Sequence, residues 1–275
     1  MKNVVWKIVV LVAMTVLPVA FGSPVDECRQ SAAAFHRALL SADFHDLYRM
    51  LPASHQRKAD TLAKTAAAKI DAETWKGLQN FLYRAGGVMV KQNPYASERL
   101  LKDGVLPGSL QKDDARTLTA LWGGRIAAFA KAANQKTLLE SGLESMLDIP
   151  GLMISGVRET LTPLTPPEVT ARALDNGLVA IRYSDVPGTD FVFENVEGKW
   201  IPRDLNRWFA REAPVAIEHL RGMQLTPPIQ FGLQQSMGLL VRQAGLALQA
   251  KSRNEFLDAV DVGIVPFRFL LKQLL

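Results

Sequence analysis

The chain predicts an α+β fold that is mostly helical, with helices flanking one small antiparallel meander of three or four strands. Sheet chemistry is confined to residues 166–204. Elsewhere apolar residues recur three and four positions apart, the period of an amphipathic helix. Prolines and threonines crowd 160–167, Thr-Leu-Thr-Pro-Leu-Thr-Pro-Pro, which cannot continue a helix. That linker divides a helical region, 23–159, from a sheet segment, 160–205; the helices of 206–275 are expected to pack on the same core.

Residues 1–22 have the layout of a secretory signal: Lys2 and Lys7, an apolar run over 8–16, Pro18, then Ala20-Phe21-Gly22. Cleavage is expected before Ser23. An uncleaved anchor is the alternative, although the run falls short of the roughly 20 residues that span a bilayer. Cys28 follows Val25-Asp26-Glu27, where a lipidation signal needs small uncharged residues. As the one cysteine it makes no disulfide within the chain. It reads as a helix-face thiol, with an intermolecular bridge as the alternative. Removing Lys2 and Lys7 from the 32 basic residues leaves about +3 against 27 acidic ones. That excess is scattered, with no Lys/Arg block to follow a phosphate backbone, so nucleic acid is not an expected partner.

A helix over 26–51 is broken near Ser41-Ala42-Asp43, with Phe35, Ala38 and Leu39 before the break and Phe44, Leu47 and Leu51 after it. A second, alanine-rich helix runs from Ser54 to Ile70. Asp71 caps a third, in which Trp75, Leu78, Leu82, Ala85 and Met89 form one stripe, closed by Asn93-Pro94. A short helix over 97–102 precedes the turn-rich 104–108. Helices over 113–133 and 138–147 complete this half. Gly86-Gly87 and Gly123-Gly124 lie inside helical patterns, where they suit close helix–helix approach or room for a ligand.

Val179, Ile181 and Tyr183 alternate with Leu178, Ala180 and Arg182, which predicts a strand. Turn signals at Val186-Pro187-Gly188-Thr189 and Glu197-Gly198 separate it from runs at 191–193 and 199–201, and Pro202 stops the ladder. An earlier strand over 168–173 ends at Asp175-Asn176-Gly177. Asp204 is then expected to cap a helix kinked at Pro214. Thr226-Pro227-Pro228 opens the next, with Leu233, Met237, Leu240, Ala244 and Ala247 along one side. The last begins near Ser252. Its apolar surface, including Phe267, Phe269, Leu270 and Leu271, is too wide for one face: it is either buried or docks on a partner protein or a membrane.

The break at Ser41-Ala42-Asp43-Phe44 and a closing hairpin with Gly198-Lys199-Trp200 resemble exported members of the NTF2-like superfamily. The resemblance implies a cone-shaped α+β domain whose curved sheet wraps helices around a pocket. This chain carries more helices than that pattern, both before and after the sheet.

Chemistry-bearing residues are sparse. His36, His45, His55 and His219 form no His-Glu-x-x-His or Cys/His set, so no metal or cofactor is expected. Asp43, His45 and Asp46 read as surface groups at a helix break. Ile154-Ser155-Gly156 lacks the first glycine of a nucleophile elbow. Arg182, Asp185, Asp190 and Glu194 form a charged cluster on the sheet: cross-strand pairing at the surface, or, with Tyr183 and Trp200, a ligand site if the sheet curls over a pocket. The reading that results is an exported cell-envelope protein, a non-enzymatic binding or structural module with an unidentified protein or lipid partner. The alternative is an exported enzyme or small-ligand binder with a pocket under the sheet.

Overall fold

A computed structural model describes residues 23–103, 105–106, 110–148, 168–186 and 188–274, with side chains described through Gly263. The export signal, the 160–167 linker, Ile154-Ser155-Gly156, Pro187 and most of the 104–108 turn lie outside the described residues. Helix dominates, around one four-stranded antiparallel sheet.

Helix α1 (Pro24–Leu40) starts at Ser23, whose hydroxyl oxygen accepts the Asp26 N–H. Ala42, at φ 50°, turns the chain, and Asp43 caps the short α2 (Phe44–Tyr48). Pro52 leads into α3 (Ala53–Lys69), and Asp71 caps α4 (Ala72–Lys91) by accepting the Thr74 N–H at 2.7 Å. Helix α5 (Asn93–Lys102) begins at the Asn93-Pro94 pair, earlier than the expected 97. Proline in a first turn removes an N–H that has no intrahelical partner, so the same dipeptide that closes α4 opens α5.

Helix α6 (Lys112–Ala132) is followed by α7 (Gln135–Ser141) and α8 (Leu143–Leu147) in place of one helix over 138–147. Gly142, at φ 91°, breaks the path, and Asp60 of α3 accepts the freed Leu143 N–H at 2.7 Å.

Strands β1 (Val169–Ala173), β2 (Val179–Tyr183), β3 (Phe191–Val196) and β4 (Lys199–Pro202) pair in sequence order as a meander. Ile181 lies between Ala171 and Phe191, and Asn195 faces Trp200. Glu197 and Gly198 both have positive φ, so the last hairpin turns as type I′, and the Asn195 side chain accepts the Gly198 N–H.

Pro202, rather than Asp204, occupies the cap of α9 (Arg203–Arg207), with Asp204 in its first turn. The expected kink falls just before Pro214, as one widened turn over Trp208–Glu212. Pro214 itself sits in the first turn of α10 (Ala213–Gly222). Helices α11 (Pro227–Gln249) and α12 (Arg253–Leu274) complete the chain.

Two regions result. In one, α1 packs across the sheet, burying Cys28, Ala32, Val179, Ile181, Tyr183, Phe193 and Trp200 between them. Beside this lies a core of Leu47, Leu51, Ile201, Leu205 and Phe209, drawn from α2 and the turn after it, β4, α9 and the widened turn. In the other region α4 packs between α6 and α11, and α12 packs on α11. Gly86 of α4 and Gly123 of α6 lie against each other, so these glycines serve close helix packing. The Trp122 indole N–H donates to the Leu39 carbonyl at 3.1 Å and ties the regions together.

Candidate functional site

Alternation along β2 sends Arg182 and Tyr183 to opposite faces. Arg182 is exposed and donates to Asp190 at 2.8 Å, and Arg172 from β1 approaches the same carboxylate at 3.5 Å. This is a cross-strand charge cluster in solvent, whose members contribute little individually. Tyr183 and Trp200 lie on the covered face, against α1. The three residues singled out for ligand contact are thus divided between the two sides of the sheet. Glu194 and Asp185 engage elsewhere, so the predicted charged cluster separates into three sets.

The Tyr183 hydroxyl donates to the Ala32 carbonyl at 3.2 Å, and burial pushes its pKa up. Cys28, fully buried one turn from Ala32, has its thiol pushed up to about 12 by the same cause. A thiol so placed is not a nucleophile, nor is it accessible for a bridge to another chain. Trp200 is nine-tenths buried, and its indole Nε1 has no hydrogen-bond partner. Such a donor carries a desolvation cost of about 1–3 kcal/mol.

His36 continues the α1 stripe of Cys28 and Ala32 at four-residue spacing. Its ring packs on Tyr183, centroids 4.6 Å apart, and Nε2 lies 3.1 Å from Asp185 Oδ2. The approach is close, but Nε2 lacks hydrogen-bond alignment, so the contact is electrostatic. Burial lowers the His36 pKa, and the Asp185 carboxylate opposes that shift in part.

A longer relay runs through the second core. His55 Nε2 lies 2.9 Å from Asn206 Oδ1, and Asn206 Nδ2 donates to Glu194 Oε1 at 2.9 Å. Because Asn206 spends its amide hydrogen on Glu194, its oxygen faces the ring and Nε2 carries the proton. Nδ1 of the neutral ring then accepts from the Ser54 hydroxyl, 3.0 Å away. Ser54, His55 and Asn206 are the residue types of a nucleophile, base and orienting group. Burial is the main cause that lowers the His55 pKa. Glu197, however, accepts the Ser54 backbone N–H at 3.2 Å, placing a carboxylate beside the hydroxyl. Acyl transfer needs donors there to receive an oxyanion. The relay instead fastens α3 to the last hairpin and α9. Lys199 works alongside it, donating to the Arg49 and Leu51 carbonyls at 2.8 and 3.2 Å.

Helix α11 presents a different feature. Of the stripe the sequence pattern predicts, Leu233, Met237, Leu240 and Ala247 are buried on its inner side and Ala244 is half-buried. On its outer side Phe231, Leu239 and Leu246 are 62, 48 and 48% exposed. The core-forming stripe does not point to this face; the signal in the sequence is a 23-residue helix with Arg242 as its one charge. The docking residues proposed from sequence, Phe267, Phe269, Leu270 and Leu271, fall within α12, but their side chains lie outside the described residues.

Among the described residues no group of three or more His, Cys, Asp or Glu is placed to hold a metal ion. No helix among them is long and apolar enough to cross a membrane. No family model, curated protein or solved structure matches the chain.

Proposed function

We propose that the chain is an exported cell-envelope protein that acts as a non-enzymatic interaction module. The observation that carries the interaction is the outer side of α11, where three large apolar side chains stand in solvent on a helix with a single charge. Apolar side chains aligned on a face that no described element covers form the kind of surface that contact sites use. Export rests on the Lys2/Lys7 start, the apolar run and the small residues at 20 and 22. Phe267, Phe269, Leu270 and Leu271 join the proposal on sequence grounds alone, as large apolar residues of the last helix. Fractionation of host cells, with an intact mass of the recovered protein, tests it. A mature mass beginning near Ser23 in the envelope fraction is expected; the full mass from Met1 in the cytosol overturns the reading.

A second reading, a small-ligand binder with an NTF2-like pocket under the sheet, draws on the unpartnered Trp200 Nε1 and, toward the opposite end of the same covered face, on the His36–Tyr183 ring pair. It predicts a native mass spectrum with added mass that disappears on denaturation, and loss of that mass in Trp200→Phe. A bare mass in the native spectrum removes this reading.

A further inference from the structure

We infer that the outer side of α11 docks on an anionic lipid surface, an identification of the partner that rests on the interaction-module reading above. At 100° per residue, Phe231, Leu239 and Leu246 fall within an arc of roughly 80°, opposite buried Leu233 and Leu240. Arg242 is exposed within the same arc. At its edge Arg84 of α4, also exposed, lays its guanidinium against Gly245. Among the described residues neither arginine is held in an ion pair, whereas Arg99, Arg221 and Arg253 are. Between Glu218 and Glu255 the chain has no acidic residue at all. A helix with apolar side chains outward, cations at the same level and no carboxylate of its own, the neighbouring Asp71 at the α4 cap being held by Gln234, suits the interface of a bilayer with anionic headgroups.

The same face is a poor fit to a protein helix or to a second copy. Gln235, Gly238 and Arg242 stand exposed between the large side chains, interrupting the seam that knobs-into-holes packing requires. From Phe231 to Leu246 the strip is about 22 Å long and on the order of 200 Å² in area. Doubled across a dimer axis it remains far below the roughly 1,200 Å² of a specific stable interface. Separate side chains entering a fluid headgroup layer need no such continuity.

Flotation with vesicles tests the inference, using the protein as isolated from its host. Vesicles are made of equal parts phosphatidylcholine and phosphatidylglycerol, or of phosphatidylcholine alone. Flotation with the anionic vesicles is expected, weakened by salt and by omission of phosphatidylglycerol. Phe231→Ser with Leu239→Ser should weaken it by about tenfold or more, and Arg242→Gln by about fivefold. Circular dichroism melts confirm that both variants keep the fold; should the double variant unfold, Arg242→Gln and the salt dependence still decide. No flotation, or flotation that neither variant changes, overturns the inference. So does a concentration-dependent dimer, abolished by the double variant, in a protein the vesicles leave behind. A mature chain in the envelope that ignores vesicles removes the lipid partner alone. A chain kept whole in the cytosol removes the export reading whatever vesicles do.

Discussion

The sheet-bearing region and the α4–α6–α11 layer solve the packing problem by opposite means. Around the sheet, long side chains reach across the fold. Tyr183 donates to Ala32, Lys199 to Arg49 and Leu51, and His55 meets Asn206, in each case about 150 positions along the chain. In the helical layer the contact depends on what is missing: Gly86 and Gly123 bring α4 and α6 together backbone to backbone. The first region is specified by particular functional groups, the second by volume. A mutation therefore acts by losing a contact in one and by adding an atom in the other.

The largest effect expected is in the first region. Phe209 is fully buried, against the His55 ring at 4.5 Å and the Trp208 ring at 5.1 Å. Phe209→Ala should cost about 3–5 kcal/mol through lost burial and the cavity left behind. Urea unfolding reads it as a lower midpoint with unchanged slope. A cost under ~1 kcal/mol would mean that the core at the widened turn collapses to fill the space.

Gly86→Ala comes next and sets two effects of opposite sign against each other. Replacing a helical glycine by alanine gains about 1 kcal/mol in propensity. At Gly86 the new Cβ would stand 2.7 Å from Ala127 N and 2.8 Å from Ala127 Cβ, and closer still to the Gly123 carbonyl oxygen. Backbone atoms cannot rotate away, so the helices must part. Overpacking costs about 1–3 kcal/mol and prevails, giving net destabilisation in a thermal melt. A raised melting temperature would show that α4 and α6 slide freely and that the glycine contact is not what specifies the layer.

These contrasts mark what the sequence made legible. The meander was readable because each strand carries its own alternation and each turn its own glycine. The stripe that buries α11 was readable for the same local reason. Long-range relations were not. Gly142 can break a helical pattern by its positive φ, but the partner that satisfies the exposed Leu143 N–H, Asp60, lies far away on α3. The His55 relay draws on β3, α3 and α9, and nothing in the spacing of Ser54, His55, Glu194 and Asn206 announces it. For Arg182 and Tyr183 the alternation was itself readable, setting them on opposite faces; what it left open was whether the sheet curls over a pocket.

A pH titration sharpens the comparison, since buried His55 and half-buried His36 both belong to the sheet-bearing region. His36 and His55 have pKa values lowered in the fold, chiefly by burial. A base with a depressed folded pKa binds fewer protons folded than unfolded, so stability rises with pH across the window between the two values. Their contribution is complete above the ordinary histidine pKa of about 6.5 and is lost as pH falls through it toward the folded value. Asp71, Glu98 and Glu197 have lowered pKa values too, and their contribution is lost only in the carboxylate range below. His36→Phe keeps a ring on Tyr183 and removes one titrating group. It should flatten the stability slope between about pH 7 and 5 while leaving the acid limb in place. An unchanged slope would show that His36 is as free to protonate in the fold as in the unfolded chain.

The smallest effect tests the same substitution where volume is not limiting. Gly232, on α11, has nothing within 4 Å of where a Cβ would stand, and its φ is not positive. Gly232→Ala therefore adds no contact and loses none. What remains is the backbone entropy that glycine carries in the unfolded chain, so a gain of about 0.5–1 kcal/mol is expected. The two alanine variants then differ in sign although the residue change and the helical setting are identical. If both stabilised, propensity alone would govern the helices, and the close approach at Gly86 would be a consequence of packing elsewhere. If both destabilised, α11 would need its outer glycine bare, pointing to contact on the side where Phe231, Leu239 and Leu246 stand exposed.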